Sequence, residues 1–224
     1  FDKDGTLFDF RRSWGDWAAR LVRELAADEG GAHRLAQAIG YDLRSGDFHP
    51  ESPVIAATAD DIAEALVPHL PGTGRAALAA RMNALAEITP MAEAVPLAPT
   101  LGALRDRGLR LGLATNDTEA PARAHLAAHG VAHLFDFVAG CDSGHGAKPG
   151  PGMLLAFAHR TGLSPTRVVM VGDSRHDLMA GRAAGMRTVA VLTGIAGADE
   201  LAPLADAVLP DIGRLGLWLD AQGS

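Results

Sequence analysis

From about residue 97 onward the chain alternates short apolar runs with helical stretches, and few folds accept that pattern. The runs are LRLGLAT (109–115), FDFVAGC (135–141), RVVMVGD (167–173) and RTVAVLTG (187–194). The third and fourth are almost continuously apolar, as a strand must be when both of its faces are covered. Between and beyond the runs, residues 97–107, 119–129, 151–161, 175–185 and 211–221 read as helices, with Leu97, Leu101 and Leu104 at helical spacing in the first. Gly108, Gly130, Gly162 and Gly185 stand where four of these helices should stop. Strand and helix in regular alternation predict a parallel sheet with helices on both faces.

Residues 11–93 follow another rule. WGDWAARLVRELAADEG, AHRLAQAIG, TADDIAEALVPHL and GRAALAARMNALAEI are Ala-rich, with apolar spacing near 3.6 and no convincing strand. Thr58 followed by Asp61 predicts a capping box with Asp in place of the usual Glu. The intervening YDLRSGDFHPESPVI is polar, carries two prolines and reads as loop. The expected fold is therefore α/β: a three-layer Rossmann-like parallel sheet core of residues 1–10 and 94–224, with an inserted all-helical cap of residues 11–93. A chain of 224 residues with 48% hydrophobic and 21% charged residues can bury a core of that size unaided.

Charge narrows the partners. Twenty Lys+Arg against 27 Asp+Glu leave a net charge of -7, which argues against a nucleic-acid binder. An anionic ligand would have to be attracted locally, by a metal, a lysine or helix N-termini. The single cysteine, Cys141, excludes an internal disulfide framework and points to a reduced, cytoplasmic setting; at a strand end it reads as a small buried hydrophobe. No apolar run reaches the ~18 to 20 residues a membrane span needs, and the first residues do not read as a signal peptide with a basic start and apolar middle.

The chemistry concentrates at strand ends. FDKDGTLFDF, residues 1–10, sets Asp2 and Asp4 on either side of a lysine. In an extended segment both carboxylates face the same way, and Gly5 lets the chain turn after them. Two such charges repel unless a cation sits between them or one holds a proton. A divalent metal meets the first need; a nucleophile paired with a general acid meets the second. Alone, DxDG also describes a solvated turn. Three further signals accompany it. Thr115 and Asn116 end a strand where an open α/β sheet binds anions. Lys148 lies in GAKPGP, a glycine- and proline-rich loop before a helix. VVMVGDSRHD runs an apolar strand into Asp173, with Asp177 one helical turn on. Carboxylates at that position suit a hard cation with oxygen ligands.

DxDGT, an inserted helical region, strand-Thr-Asn, Lys-Pro and strand-GDxxxD, in that order over residues 2–177, resemble the haloacid dehalogenase superfamily of phosphohydrolases. The helical insertion resembles that family's type-one cap. FDKDGTL, TND, KPGP and VGDSRHD are most similar to its phosphoglycolate phosphatase branch. The resemblance implies Asp2 as nucleophile, Asp4 as general acid/base, Thr115 with the Asn116 backbone as phosphate donors, and Lys148 as the lysine joining nucleophile and phosphate. It further implies Mg2+ held by Asp2, the Asp4 carbonyl and Asp173, with Asp177 in support. The substrate it implies is a small phosphorylated metabolite, first 2-phosphoglycolate.

Rival functions remain in view: a sugar phosphate phosphatase, a phosphomutase, a halide-releasing hydrolase, which Asp4 disfavours, and a catalytically silent binding subunit. Trp14 and Trp17 are candidates to line the cap-core cleft, with Trp17 better suited to the cap core. Arg12 and Arg44 read as surface cations, with a substrate carboxylate as the alternative partner, and His176 reads as exposed at a helix start. Oligomeric state is not readable. Because FDKDGT should follow a central strand, several further residues are expected upstream of Phe1 in the natural protein.

Overall fold

The computed structural model describes residues 1–222. Phe1 and Asp2 are extended, residues 3–9 fold into tight turns, and helix α1 (Phe10–Leu25) follows, its first turn capped by the Asp9 carboxylate accepting from the Arg12 amide at 3.0 Å. Trp14, Trp17, Ala18, Leu21 and Val22 are all buried on α1, the i, i+3, i+4, i+7, i+8 spacing that gives a helix one apolar face. It packs on α2 (Glu29–Ala38).

The stretch expected as loop then forms a hairpin of β1 (Tyr41–Asp42) and β2 (Asp47–Phe48), so the inserted region is not wholly helical. The reason is aromatic: Tyr41 faces Phe48 across the two strands with ring centroids 4.9 Å apart, and Phe48 packs edge-on against Phe10 of α1 at 5.1 Å. Polar residues and prolines around these rings conceal the pair in the sequence. Helices α3 (Ala59–Leu66) and α4 (Arg75–Glu87) pack on each other and complete the cap.

The core runs α5 (Leu97–Asp106), β3 (Gly112–Ala114), α6 (Glu119–Ala128), β4 (Phe137–Ala139), α7 (Gly152–Thr161), β5 (Val169–Gly172), α8 (Arg175–Ala183), β6 (Arg187–Val191), α9 (Ala198–Leu201), β7 (Ala207–Leu209) and α10 (Leu215–Gln222). Each expected helix and strand of the core is present, the strands shorter than their apolar runs. The four stop glycines all take positive φ, 68 to 77°. The sequence reading misses β7, because its three apolar residues sit between Asp206 and Pro210 and look like a turn.

All strand pairs in the core are parallel: β3 with β4, and β5, β6 and β7 in that order. Phe1 and Asp2 join these two groups into one sheet. The Phe1 carbonyl accepts from the Ala114 amide at 2.9 Å, and the Asp2 amide donates to the Val171 carbonyl at 2.9 Å. Asp2 therefore ends a central strand, with β3–β4 stepping away on one side and β5–β6–β7 on the other. In an open parallel sheet the crevice at such a switch point is where ligands bind.

Side chains alternate across the sheet. Leu113, Val138, Val171, Val189 and Val191 meet α5, α6 and α10, in a cluster continuous with the buried face of α1. Ala114, Ala139 and Met170 meet α7 and α8 on the other face. This is the expected three-layer Rossmann-like core with an inserted cap.

The Thr58 capping box is formed, with Thr58 Oγ1 accepting from the Asp61 amide at 3.3 Å and Asp61 Oδ2 accepting from the Thr58 amide at 3.0 Å. Thr58→Ala is expected to lower stability by about 1 kcal/mol in urea unfolding. An unchanged midpoint would show that the cap helix does not depend on it.

Candidate active site

The carboxyl ends of the central strands bring Asp2, Thr115 and Asp173 to one place, and Lys148 reaches in from the loop before α7. Its Nζ lies 2.5 Å from Asp2 Oδ1 and 2.6 Å from Asp177 Oδ1. All three side chains are buried, Asp177 completely. Burial pushes the Asp2 carboxyl up to about 6 against the pull of Lys148. Burial alone would lower the Lys148 ammonium, but Asp177 and Asp2 outweigh it and hold the pKa above the ordinary lysine value. The other Asp177 oxygen accepts from the Ser174 amide at 3.0 Å and the Ser174 hydroxyl at 2.7 Å, capping α8. Asp177 is thus anchored by its own helix and serves to hold Lys148.

Asp173 differs. Its carboxylate accepts the Thr6 hydroxyl at 3.4 Å and is 2% exposed. Burial, then Asp2 and Asp177, push its pKa well up. Gly5 and Gly194 make room for it: a Cβ at Gly5 would lie 2.2 Å, and one at Gly194 1.8 Å, from Asp173 Oδ2. Gly5 also has φ +76°, so the residue after Asp4 is glycine for two reasons. Oxygens of Asp2, Asp173 and Asp177 lie within 4.8 Å of one another, an acidic cluster that can hold a metal ion. Because both Asp177 oxygens are engaged, Asp2 and Asp173 carry the spare ligand capacity. A buried carboxylate with one long hydroxyl contact, among like charges, fits a hard cation.

Asn116 explains how the lysine loop is set. Its Nδ2 donates to the Lys148 carbonyl at 2.9 Å and to the Ala56 carbonyl of the cap at 2.8 Å, while its Oδ1 accepts from the Lys148 amide at 2.8 Å. The side chain is fully committed, leaving the backbone to face a ligand. The Thr115 hydroxyl accepts from the Asp117 amide at 3.1 Å, which leaves its own proton to donate.

The second aspartate has its own partners. Asp2 and Asp4 both line the cap-core cleft, yet Asp4's carboxylate lies outside the acidic cluster. Asp4 Oδ1 accepts from Trp14 Nε1 at 2.8 Å, and Oδ2 lies 3.0 Å from Lys3 Nζ. Burial pushes its carboxyl up to about 7, opposed by Lys3 and helped by Asp117 and Asp2. Lys3 is fully buried. Besides Asp4 it meets Asp117 Oδ2 at 2.7 Å, an ion pair outside hydrogen-bond angles, and His125 Nδ1 at 3.1 Å. Lys3, Asp117 and His125 escaped the sequence reading, although one signal was present. In an extended DKD the central residue faces opposite to the aspartates, into the interior, where a lysine needs partners.

The remaining candidates divide. Trp14 and Trp17 are both buried and both line the cleft, and Trp17 Nε1 has no partner among the described residues. Arg12 and Arg44 are exposed and do not line the cleft. His176, expected to be exposed, is half-buried and lines the cleft, because the start of α8 borders it through Ser174 and His176. Cys141 is half-buried rather than fully buried, since it follows β4 at the sheet's rim; burial and nearby aspartates push its thiol up to about 11.

The model of the haloacid dehalogenase-like hydrolases matches residues 1–185. The chain belongs to that family. Among curated relatives, the phosphoglycolate phosphatase of Escherichia coli K12 is 42% identical over 98 residues, covering 44% of this chain and 39% of that protein. The phosphoglycolate phosphatase of Rhodospirillum rubrum is 40% identical over 119 residues, covering 53% and 49%. The matches thus span less than half of those relatives' length. Among solved structures, a hydrolase from Pseudomonas syringae superposes with a TM-score of 0.71 at 19% identity, covering 99% of this chain and 96% of the other. A family member from Deinococcus radiodurans R1, with bound phosphate and sodium, gives 0.66 at 22% identity, covering 100% and 94%. These likenesses establish the shared fold.

Within this haloacid dehalogenase-like site, His125 makes a pH prediction. Burial first, then Lys3, push its imidazole down from 6.5 to about 4. The native state therefore holds it neutral while the unfolded state takes up a proton. Its stabilisation is complete above about pH 6.5 and is lost as pH falls toward 4, by at most about 3 kcal/mol. Urea unfolding at pH 7 and pH 4.5 should show wild type losing about 2 kcal/mol more than His125→Gln. Comparing the two proteins cancels the opposite contributions of the buried carboxylates. Equal losses would contradict the assignment.

Proposed function

We propose that this chain is a Mg2+-dependent phosphomonoester hydrolase working through an aspartyl-phosphate on Asp2. The observation that carries the reading is Asp2 itself: a buried carboxylate ending the central strand, 2.5 Å from a buried lysine and next to Asp173 at the mouth of a cleft. The core of residues 1–10 and 94–224 supplies the chemistry, and residues 11–93 supply the lid over it.

Attack of a carboxylate on a phosphate dianion meets repulsion of about 4 kcal/mol per charge pair at 4 Å, taking an effective dielectric constant of about 20. Lys148 offsets part of it and holds one Asp2 oxygen in place. Mg2+, held by Asp2, the Asp4 carbonyl and Asp173, supplies the remaining neutralisation when bound. Thr115 and the Asn116 backbone donate to the phosphate oxygens. In the first step Asp2 forms a bond to phosphorus as the ester P–O bond breaks, and Asp4 gives its proton to the leaving alkoxide. In the second, Asp4 takes a proton from water, which attacks the phosphorus and frees Asp2. The raised pKa of Asp4 suits a group that must begin protonated. Asp177 acts by holding Lys148.

The substrate class is a small phosphorylated metabolite, with 2-phosphoglycolate first because the curated relatives are phosphoglycolate phosphatases. One observation favours a second reading. The cap side of the cleft is lined by Trp14, Trp17, Val54, Ile55, Ile62 and Met82, and among the described residues no arginine lines it. A substrate carboxylate would have to be met by His176 or backbone amides. That favours a leaving group less charged than glycolate, as in a sugar phosphate phosphatase. The same residues would serve a phosphomutase, or a silent subunit that binds phosphate without turning it over. The single, half-buried cysteine supports a cytoplasmic setting.

A panel of phosphoglycolate, sugar phosphates, nucleotides and p-nitrophenyl phosphate, with and without Mg2+, tests the reading. Mg2+-dependent phosphate release that falls at least about a thousandfold in Asp2→Asn is the expected result. Release undiminished in Asp2→Asn would remove the nucleophile assignment. Phosphoglycolate ranking no better than a generic ester would remove the substrate alone.

A further inference from the structure

Lys3 sits where nothing in the proposed reaction requires a charge. It is fully buried, just past the strand end that Asp2 forms, yet it meets four groups. Its Nζ is 3.0 Å from Asp4 Oδ2, 2.7 Å from Asp117 Oδ2, 3.1 Å from His125 Nδ1 and 5.1 Å from the centre of the Trp14 ring. An ammonium can only donate, so His125 Nδ1 accepts. The imidazole proton then lies on Nε2, which donates to the Ala86 carbonyl at 2.8 Å. Ala86 belongs to cap helix α4 and lines the cleft. Asp4's other oxygen is held by Trp14 of cap helix α1. Both oxygens of Asp4 are therefore fixed from groups tied to the cap: one directly by Trp14, the other through Lys3 and His125.

We propose that Lys3 is a positioning residue for Asp4, holding its carboxyl at the leaving-group oxygen and linking that position to the closed cap through His125 and Ala86. This inference rests on the reading of Asp4 as general acid/base. A charged residue is suited to the task because a buried lysine with three polar partners has one low-energy place for its head group. An apolar side chain at position 3 would leave Asp4 Oδ2 and Asp117 without a cation and Asp4 held by Trp14 alone.

The consequence is selective. An alkoxide leaving group needs a proton as the ester bond breaks, whereas p-nitrophenolate leaves without one. Loss of positioning therefore slows alkyl esters more than activated aryl esters. General damage to the fold lowers the active fraction and slows both equally. kcat/KM reports the steps through formation of the aspartyl-phosphate, so it isolates proton donation from the later hydrolysis.

The test compares kcat/KM for glycerol 2-phosphate and p-nitrophenyl phosphate, with Mg2+, in wild type, Lys3→Met, Lys3→Met/Asp117→Asn and His125→Asn. The double variant removes the ion pair as a unit, so that the buried Oδ2 of a half-buried Asp117 is not left as an unpaired anion. His125→Asn leaves both lysines and all the aspartates in place. The expected result for the Lys3 variants is a loss of about a hundredfold or more on the alkyl ester and under about tenfold on the aryl ester. The loss should appear in kcat with KM little changed. His125→Asn should show the same skew at about a tenth of the size. An unskewed loss, or none, in the variants that fold overturns the inference while leaving an active wild type. Wild type inert towards both esters, or Asp4→Asn retaining full alkyl hydrolysis, overturns the parent reading and this one with it.

Discussion

Two aspartates separated by one residue cannot both be buried as anions beside each other without cations, and much of the site follows from how this chain meets that constraint. Asp2 is paired with Lys148, whose head group is also held by Asp177. Asp4 is paired with Lys3, whose head group is also held by Asp117 and His125. Each carboxylate has its own lysine, and each lysine has its own second carboxylate. Breaking either arrangement by removing one partner strands a buried charge, at a cost of about 3 to 5 kcal/mol. The separation also divides labour. Asp2 belongs to the acidic cluster with Asp173, which can hold a cation, while Asp4 is tied to Trp14 of the cap and lines the cleft.

The sheet makes these pairings possible. Parallel strands bring their carboxyl ends to one edge, so residues as distant in sequence as Asp2, Thr115 and Asp173 become neighbours at the switch point. The loops then need close approach of backbone to carboxylate, which Gly5 and Gly194 permit beside Asp173. The cap contributes apolar lining and two polar ties, Trp14 to Asp4 and the Ala86 carbonyl to His125. In a protein of net charge -7, two buried lysines thereby stand among the carboxylates at this edge.

What was legible in the sequence was whatever depends on period and spacing. The continuous apolar run of VVMVG announced β5, the Leu97, Leu101, Leu104 spacing announced α5, and the stop glycines marked helix ends. Thr58 and Asp61 formed the anticipated box. The meeting of Asp2, Lys148, Asp173 and Asp177 was legible because motif order sets these residues at the ends of neighbouring strands. The hairpin of β1 and β2 was not, because its stability comes from Phe10, Tyr41 and Phe48 meeting across 38 residues of chain. Nor was β7, whose pairing with β6 depends on a neighbour rather than on its own three apolar residues. Lys3 was hidden by the aspartates beside it: its partners Asp117 and His125 lie more than 110 residues away and are brought to it only by the sheet.

The central claim is that Asp2 becomes covalently phosphorylated, and it can be read directly. Asp4→Asn, lacking the group that activates water, is mixed with p-nitrophenyl phosphate and Mg2+, quenched in acid, and the phosphorylated residue is located by peptide mass spectrometry after borohydride reduction of the acyl phosphate. The account predicts one acid-stable, hydroxylamine-sensitive phosphate per chain, with reduction converting position 2 to homoserine. Phosphate found on another residue, or p-nitrophenolate released with no covalent phosphate at any position, would contradict it.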